Sequence, residues 1–185
     1  MGIAEKKNIL RSKFKLIRDS SSIEARNNVK ENIEKYLKSY KLNEKFLKYI
    51  GLYWPIHNEV DIRGLKQKYS AALPECQPKK TLKFHIWDKC SLKNDLEGIP
   101  YPNNLYILNY SEVSMIFIPC LSIDRKFNRL GYGGGYFDRL RANNGWNKVP
   151  AIGVLTSNCV SKELLTHSEF DIPLSGYITE KEIVI

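Results

Sequence analysis

Residues 116–141 read IFIPCLSIDRKFNRLGYGGGYFDRLR. The apolar run Met115–Pro119 reads as a buried strand. It feeds a polar loop, then Gly131, Gly133, Gly134 and Gly135, and then a helical segment over Gly134–Asn144. A strand, a glycine-rich turn and a helix in succession is the unit of α/β sheets, and glycines there let the backbone come close to an anion. The turn is not a Walker A, because GxxxxGK[ST] occurs nowhere in the chain. Nor is it the dinucleotide fingerprint, since Tyr136 stands where GxGxxG needs its third glycine. A tight turn without a ligand is the plainer reading. Its neighbours argue for chemistry: Arg129 before the glycines, Tyr136 and Asp138 after them, then Arg139 and Arg141. An arginine can fork onto phosphate oxygens, an aspartate can hold Mg²⁺ beside them, and a tyrosine can stack on or hydrogen-bond a ring.

Working outward, the spacing of Ile9, Leu10, Phe14 and Ile17 predicts a helix over Glu5–Ile17 with those side chains on its buried face. Ser20–Ser22 break that pattern and offer the N-cap of a second helix, whose stripe is Val29, Ile33, Tyr36, Leu37 and Tyr40. Lys48–Trp54 reads as a strand, followed by a loop and a helix from about Asp61 to Leu73. Thr81–Trp87 reads as a further strand and Asp88–Asn104 as surface loop. Val149–Leu155 and Gly176–Ile185 supply the last strands. Strands alternating with helices predict a single three-layer α/β domain over residues 1–185, with a mainly parallel or mixed sheet flanked by helices.

The chain has 185 residues with 43% hydrophobic side chains, enough to bury a core and against intrinsic disorder. No apolar run reaches the roughly 18 to 20 residues that span a bilayer. The N-terminus MGIAEKKNILRSKFK is charged at once and lacks a signal's apolar region, so a cytoplasmic location, with no membrane partner, is expected. Cys76, Cys90, Cys120 and Cys159 form no CxxC pair and read as small thiols rather than zinc ligands or disulfides. Net charge is +9, of which residues 1–50 carry +7. A charged helical exterior accounts for that, or a rim that attracts a phosphate or polyanionic substrate.

The string RLGYGGGYFDR, residues 129–139, resembles the signature of the 5-formyltetrahydrofolate cyclo-ligase family, also called methenyltetrahydrofolate synthetases. KNILR (7–11) resembles the family's Lys-x-x-x-Arg, YWPIHNEVDI (53–62) its segment around a folate-contacting glutamate, and AIGVL (151–155) and EFDIPLSGYIT (169–179) its C-terminal blocks. The resemblance implies ATP-dependent, Mg²⁺-assisted cyclisation of 5-formyltetrahydrofolate to 5,10-methenyltetrahydrofolate, with release of ADP and phosphate. In that scheme the formyl oxygen attacks the γ-phosphate and the folate nitrogen closes the ring as phosphate leaves. The protein positions two ligands and stabilises phosphoryl charge.

Carried over by position, the resemblance implies that Lys7 and Arg11 meet ATP phosphates. Arg129, Leu130, Gly131, Tyr132, Gly133, Gly134, Gly135, Tyr136 and Phe137 would cradle the triphosphate. Asp138 and Asp171 would hold Mg²⁺, Trp54, Glu59 and Tyr136 would contact folate, and Arg129, Tyr136 and Asp138 would be catalytic. Plainer readings stand beside these: solvated helix charges for Lys7 and Arg11, a loop-to-helix cap for Glu59, a core residue for Trp54 and a turn residue for Asp171. His57, His85 and His167 read as surface or satisfied core residues.

The chain departs from the family pattern at Phe127, where glycine is usual, at Cys120, Ser122 and Ile123, where Gly, Ala and Phe are usual, and at Phe137, usually a tyrosine. Those departures keep open a non-catalytic member that binds nucleotide or folate. An RNA-binding module on the basic helices is the other rival, though stacking aromatics and RNA motifs are missing from that region, so no nucleic-acid partner is expected. The expected partner is 5-formyltetrahydrofolate, with the basic N-terminal half favouring its polyglutamylated form, on a monomeric enzyme.

Overall fold

The computed structural model describes residues 2–40, 48–167 and 171–185. Helices α1 (Ile3–Asp19) and α2 (Ile23–Ser39) come first, separated at the expected serines, with Ser22 Oγ accepting from the Ala25 amide at 3.0 Å. The strands in chain order are β1 (Tyr49–Gly51), β2 (Ala71–Gln77), β3 (Thr81–Ile86), β4 (Leu92–Asn94), β5 (Pro100–Pro102), β6 (Val113–Pro119), β7 (Ser122–Ile123), β8 (Arg129–Leu130), β9 (Ala151–Val154), β10 (Gly176–Ile178) and β11 (Ile183–Val184). Helix α3 (Tyr136–Ala142) lies between β8 and β9.

Seven strands form one mixed sheet in the order β11-β10-β9-β6-β1-β2-β3. The five inner strands are parallel, and β3 and β11 run antiparallel at the edges. Alternation along β6 sends Met115 and Phe117 to one face and Ile116 and Ile118 to the other. The first face is covered by Val29, Ile33 and Leu37 of α2, the second by Leu140 of α3, giving the expected three layers. Helix α1 instead docks on the loops beyond β6, where Phe14 packs with Leu121, Leu130 and Leu165.

Four local expectations are corrected. Asp61–Leu73 is not a helix: only a 3₁₀ turn, Arg63–Gln67, forms there, and Ala71–Leu73 opens strand β2. A short apolar run satisfies either period, and here burial between β1 and β3 decides it. Pro74 is tolerated in β2 because β1 pairs only with Ala71 and Ala72, so no amide is needed from it on that side. Asp88–Asn104 contains the β4–β5 ribbon, and Gly176–Ile185 is a hairpin of two strands. Finally, Ile9 is 55% exposed, because the inward face of α1 is Lys7, Arg11, Phe14 and Arg18.

The chain passes from β1 to β2 on one side and then crosses to β6 on the other. That reversal opens a crevice at the carboxyl ends of β1 and β6, the usual ligand position in such sheets. The loop leaving β6 is organised by the buried Asp124. Its carboxylate accepts from the amides of Lys126 (2.8 Å), Asn128 (3.0 Å) and Leu165 (2.8 Å) and from Asn128 Nδ2 (2.9 Å). Within this loop Phe127 has φ +64°, which explains the glycine usual at that position. The phenylalanine stays there because its ring meets Tyr177 edge-on at 6.2 Å and its carbonyl accepts from the Leu174 amide at 2.9 Å.

A left-handed residue with a β-carbon costs roughly 1–2 kcal/mol. Phe127→Gly and Phe127→Ala both lose the ring, so the glycine variant is expected to be the more stable by about 1 kcal/mol. Denaturant midpoints of the two variants check this, and an alanine variant that equals or exceeds the glycine variant would show an unstrained backbone.

Candidate active site

The crevice has a volume of about 500 Å³, within the range of small-molecule sites. Tyr53, Trp54, His57 and Glu59 reach it from the segment after β1, and Pro119 from the end of β6. Arg129 and Tyr132–Gly135 form the opposite wall, continued by Tyr136 and Phe137 of α3. Of the residues singled out in the sequence, Trp54, Glu59, Arg129, Tyr132, Gly133, Gly134, Gly135, Tyr136 and Phe137 therefore face one cavity. Leu130 does not: its side chain is buried under α1 with Phe14. Lys7, Arg11, Gly131, Asp138 and Asp171 do not line the cavity but stand beside the glycine loop and α3.

Arg129 is the most constrained of these. Its side chain is only 9% exposed, and its Nη2 donates to Asp138 Oδ1 at 2.8 Å and its Nη1 to the Pro119 carbonyl at 3.3 Å. Burial works against its charge, but the carboxylates of Asp138 and Asp171 outweigh that and hold its pKa above the ordinary arginine value. Gly131 is required for this packing, since a β-carbon there would stand 2.7 Å from Arg129 Nη1. Gly133 and Gly135 have φ of +99° and +73°, so the loop adopts a path that other residues resist.

Helix α1 closes the loop from behind through residues spaced 7, 11, 14 and 18, one helical face. Lys7 Nζ pairs with Asp171 Oδ2 at 2.5 Å, Arg11 Nε donates to the Gly131 carbonyl at 3.0 Å, and Arg18 donates to the Tyr132 hydroxyl. Asp171 therefore meets α1 rather than simply ending a turn. The two residues before it, Glu169 and Phe170 of the EFDIPLSGYIT block, lie outside the described residues.

Glu59 forms the other pole of the cavity. Its Oε2 accepts from the Ile56 amide at 2.9 Å, a local cap, while its buried Oε1 has no hydrogen-bond partner. Burial pushes this carboxyl from its usual value up to about 7, although the Ile56 amide, Tyr132, Arg18 and Arg129 all favour its charge.

Three features of the site were not singled out in the sequence. Arg18 is buried beneath the cleft, bonded to Tyr132 and to Asp19, whose carboxylate also accepts from Asn58 Nδ2 at 3.0 Å. Its four- and three-residue offsets from Lys7, Arg11 and Phe14 were the available signal. Glu97, from the turn of the β4–β5 ribbon, accepts from the Tyr136 hydroxyl at 2.5 Å across the cleft, and nothing in its sequence context pointed there. His57 lines the cleft with its ring tilted against Tyr132. His85 is a satisfied core residue, with Nε2 2.8 Å from Glu75 and Nδ1 3.1 Å from the Asn104 carbonyl, and His167 is held at the Leu165 carbonyl. Burial pushes the Cys120 thiol up to about 12, which removes it as a nucleophile.

Comparison with known proteins gives a consistent result. Residues 3–180 match the 5-formyltetrahydrofolate cyclo-ligase family. A 5-formyltetrahydrofolate cyclo-ligase of Haemophilus influenzae is 31% identical over 144 residues, covering 72% of this chain and 76% of that protein. One from Escherichia coli K12 is 31% identical over 77 residues, 42% of each chain. The solved structure of a 5,10-methenyltetrahydrofolate synthetase from Aquifex aeolicus superposes with a TM-score of 0.76 at 28% identity, covering 96% of this chain and 91% of that one. The fold is also that of a Mycoplasma pneumoniae synthetase, with a TM-score of 0.67 at 24% identity over 94% of this chain and 98% of the other.

The Glu59 environment makes stability depend on pH with a definite sign. Below about 4.5 the carboxyl is protonated both folded and unfolded. As pH rises from there to about 7, the unfolded chain releases the proton while the folded chain keeps it, so folding weakens. Above that the penalty is constant, on the order of 3 kcal/mol. Glu59→Gln is expected to gain stability relative to the wild type across this window and hold the gain at higher pH. Urea denaturation of both proteins between pH 4 and 8 checks this, and parallel profiles would contradict it.

Proposed function

Since the chain belongs to the 5-formyltetrahydrofolate cyclo-ligase family, we propose that it is an enzyme that cyclises 5-formyltetrahydrofolate to 5,10-methenyltetrahydrofolate at the expense of ATP. The observation that carries this reading is the polarity of one cavity. At one end is a desolvated carboxyl with a bare oxygen, Glu59, and at the other a buried arginine on a glycine loop, Arg129. The first suits the N–H edge of a pterin, and the second suits phosphate oxygens.

In this mechanism Glu59 accepts hydrogen bonds from the folate ring. Those donors supply what the buried Oε1 lacks and draw the carboxyl into its charged form. Trp54, with its ring under the Arg63 guanidinium at 4.4 Å, is an apolar wall for the ring system. Tyr136 stands where the folate and the glycine loop meet, and its bond to Glu97 fixes the hydroxyl across the opening. The formyl oxygen attacks the γ-phosphate with release of ADP, and the folate's nitrogen-10 then attacks the activated formyl carbon, closing the ring as phosphate leaves. Because the substrate supplies both nucleophiles, the protein needs none, in keeping with the raised Cys120 thiol.

Lys7, Arg11 and Arg129 would bind the triphosphate. Lys7 and Arg129 are paired with Asp171 and Asp138, so phosphates would take over these cations as the carboxylates turn to a metal. The donor set fits Mg²⁺, which uses one or two carboxylates together with phosphates and water. Among the described residues no group of three His, Cys, Asp or Glu forms a cage. When bound, the ion would neutralise charge on the transferring phosphoryl group. We place the reaction in the cytoplasm, a reading supported by four free cysteines. No described helix is long and apolar enough to cross a membrane. We take the working form to be a monomer with no nucleic-acid partner.

The purified protein should form the methenyl product, followed by absorbance, only with ATP and a divalent metal. A folded sample that binds both ligands without turnover would favour the non-catalytic reading. Asp138→Asn should lower single-turnover rates by about two orders of magnitude or more while folate affinity is kept; an unchanged rate and metal dependence would remove Asp138 from the site. Polyglutamylated folate should bind more tightly than the monoglutamate at low salt, with the difference fading as salt rises. Equal affinities at low salt would show that the basic helices do not contribute.

A further inference from the structure

Arg141 has no place in the scheme above, yet it is among the most unusual residues of the molecule. It is 5% exposed, and among the described residues it makes no ion pair. Its Nη1 donates to the carbonyls of Ile172 at 2.7 Å and Pro173 at 2.9 Å, and its Nε is buried with no hydrogen-bond partner. Burial, and then the nearby Arg129, lower its pKa, with only Asp138 acting in its favour. A buried cation without a counter-ion is costly, and an apolar side chain would join the helix to this segment at lower cost.

Its position in the chain connects two separated groups. On α3, Asp138 and Arg141 are three residues apart and share a face. The carbonyls that Arg141 grips are those of the two residues directly after Asp171. A closed circuit results: Arg129 to Asp138, along α3 to Arg141, across to residues 172 and 173, from Asp171 to Lys7 of α1, and from Arg11 of α1 back to the loop at the Gly131 carbonyl. Of these links, Arg141 alone ties the element carrying one aspartate to the segment carrying the other.

We propose that Arg141 is a positioning residue for the metal–nucleotide end of the cleft, setting the separation of Asp138 and Asp171 through the 172–173 carbonyls. The inference rests on the reading of those two aspartates as metal holders and names a residue that the family signature leaves out. A planar guanidinium suits the task because one nitrogen can bridge two carbonyls in fixed geometry, which an ammonium on a flexible stem does less rigidly.

The test is binding of Mn²⁺ with ADP, read from the free-ion EPR signal, alongside 5-formyltetrahydrofolate affinity as an internal control. Arg141→Met should weaken Mn²⁺–ADP binding at least tenfold while folate affinity stays within twofold, and Arg141→Lys should recover part of the loss. Normal Mn²⁺–ADP affinity in folded Arg141→Met, or equal loss of both ligands, would overturn the inference. If Arg141→Met does not fold, Arg141→Lys carries the test. A loss of threefold or more confined to Mn²⁺–ADP supports the role, and unchanged affinities overturn it. Asp138→Asn separates the two levels of the argument. If it leaves Mn²⁺–ADP binding intact, the metal reading itself fails; if it weakens binding and Arg141→Met does not, only the role of Arg141 fails.

Discussion

Arg129 is a buried guanidinium held between a carboxylate and a carbonyl, and the site is arranged around that pairing. Its partners come from two directions, the carboxylate of Asp138 on α3 and the carbonyl of Pro119 at the end of β6. The glycine at 131 makes room for the side chain, and the glycines at 133 and 135 turn the backbone so that α3 starts within reach. Loss of the Asp138 carboxylate would leave the Arg129 charge buried without its counter-ion, which costs several kcal/mol.

The same logic, with the opposite sign, governs the other end of the cleft. Glu59 is desolvated and only partly satisfied, so its carboxyl resists ionisation. Two poles of unlike electrostatic character within one cavity favour two ligands, one rich in N–H groups and one anionic. The topology puts them there: β1 delivers Glu59 and β6 leads to Arg129, and the crevice between neighbouring strands is where the chain reverses direction across the sheet. Helix α1, which covers neither sheet face, works as a brace whose inward charges reach Asp171, the Gly131 carbonyl and Tyr132.

Departures from the family pattern fall where the structure can absorb them. Phe127 keeps the left-handed turn that a glycine would make without strain, because Asp124 ties the turn from within and Tyr177 receives the ring. Phe137 retains an aromatic surface in the cavity and stacks near Arg129, with the guanidinium 5.8 Å from its ring centre. Cys120 and Ser122 are buried, the latter donating to the Cys159 carbonyl at 2.6 Å.

Periodic patterns with a local cause were readable in the chain alone. The α2 stripe (buried at Val29, Ile33 and Leu37, half-buried at Tyr36, though Tyr40 at the helix end is exposed), the Ser22 cap, the β6 strand and the strand–glycine–helix order depend on neighbouring residues, and all four are present in the structure. The α/β class was legible for the same reason, whereas the roles expected of Trp54, Glu59, Arg129 and the glycines came from the family resemblance, and the structure adds that these residues line one cavity. Contacts between distant segments were not. Ala71–Leu73 became strand rather than helix because two neighbouring strands bury it, and Asp171 meets Lys7 across 164 positions of chain. Glu97 reaches Tyr136, and Arg141 reaches residues 172 and 173, only because the sheet brings their elements together. Burial works the same way: it raises the Glu59 carboxyl and lowers the Arg141 guanidinium, and it is a property of the packed chain that no residue type or spacing specifies.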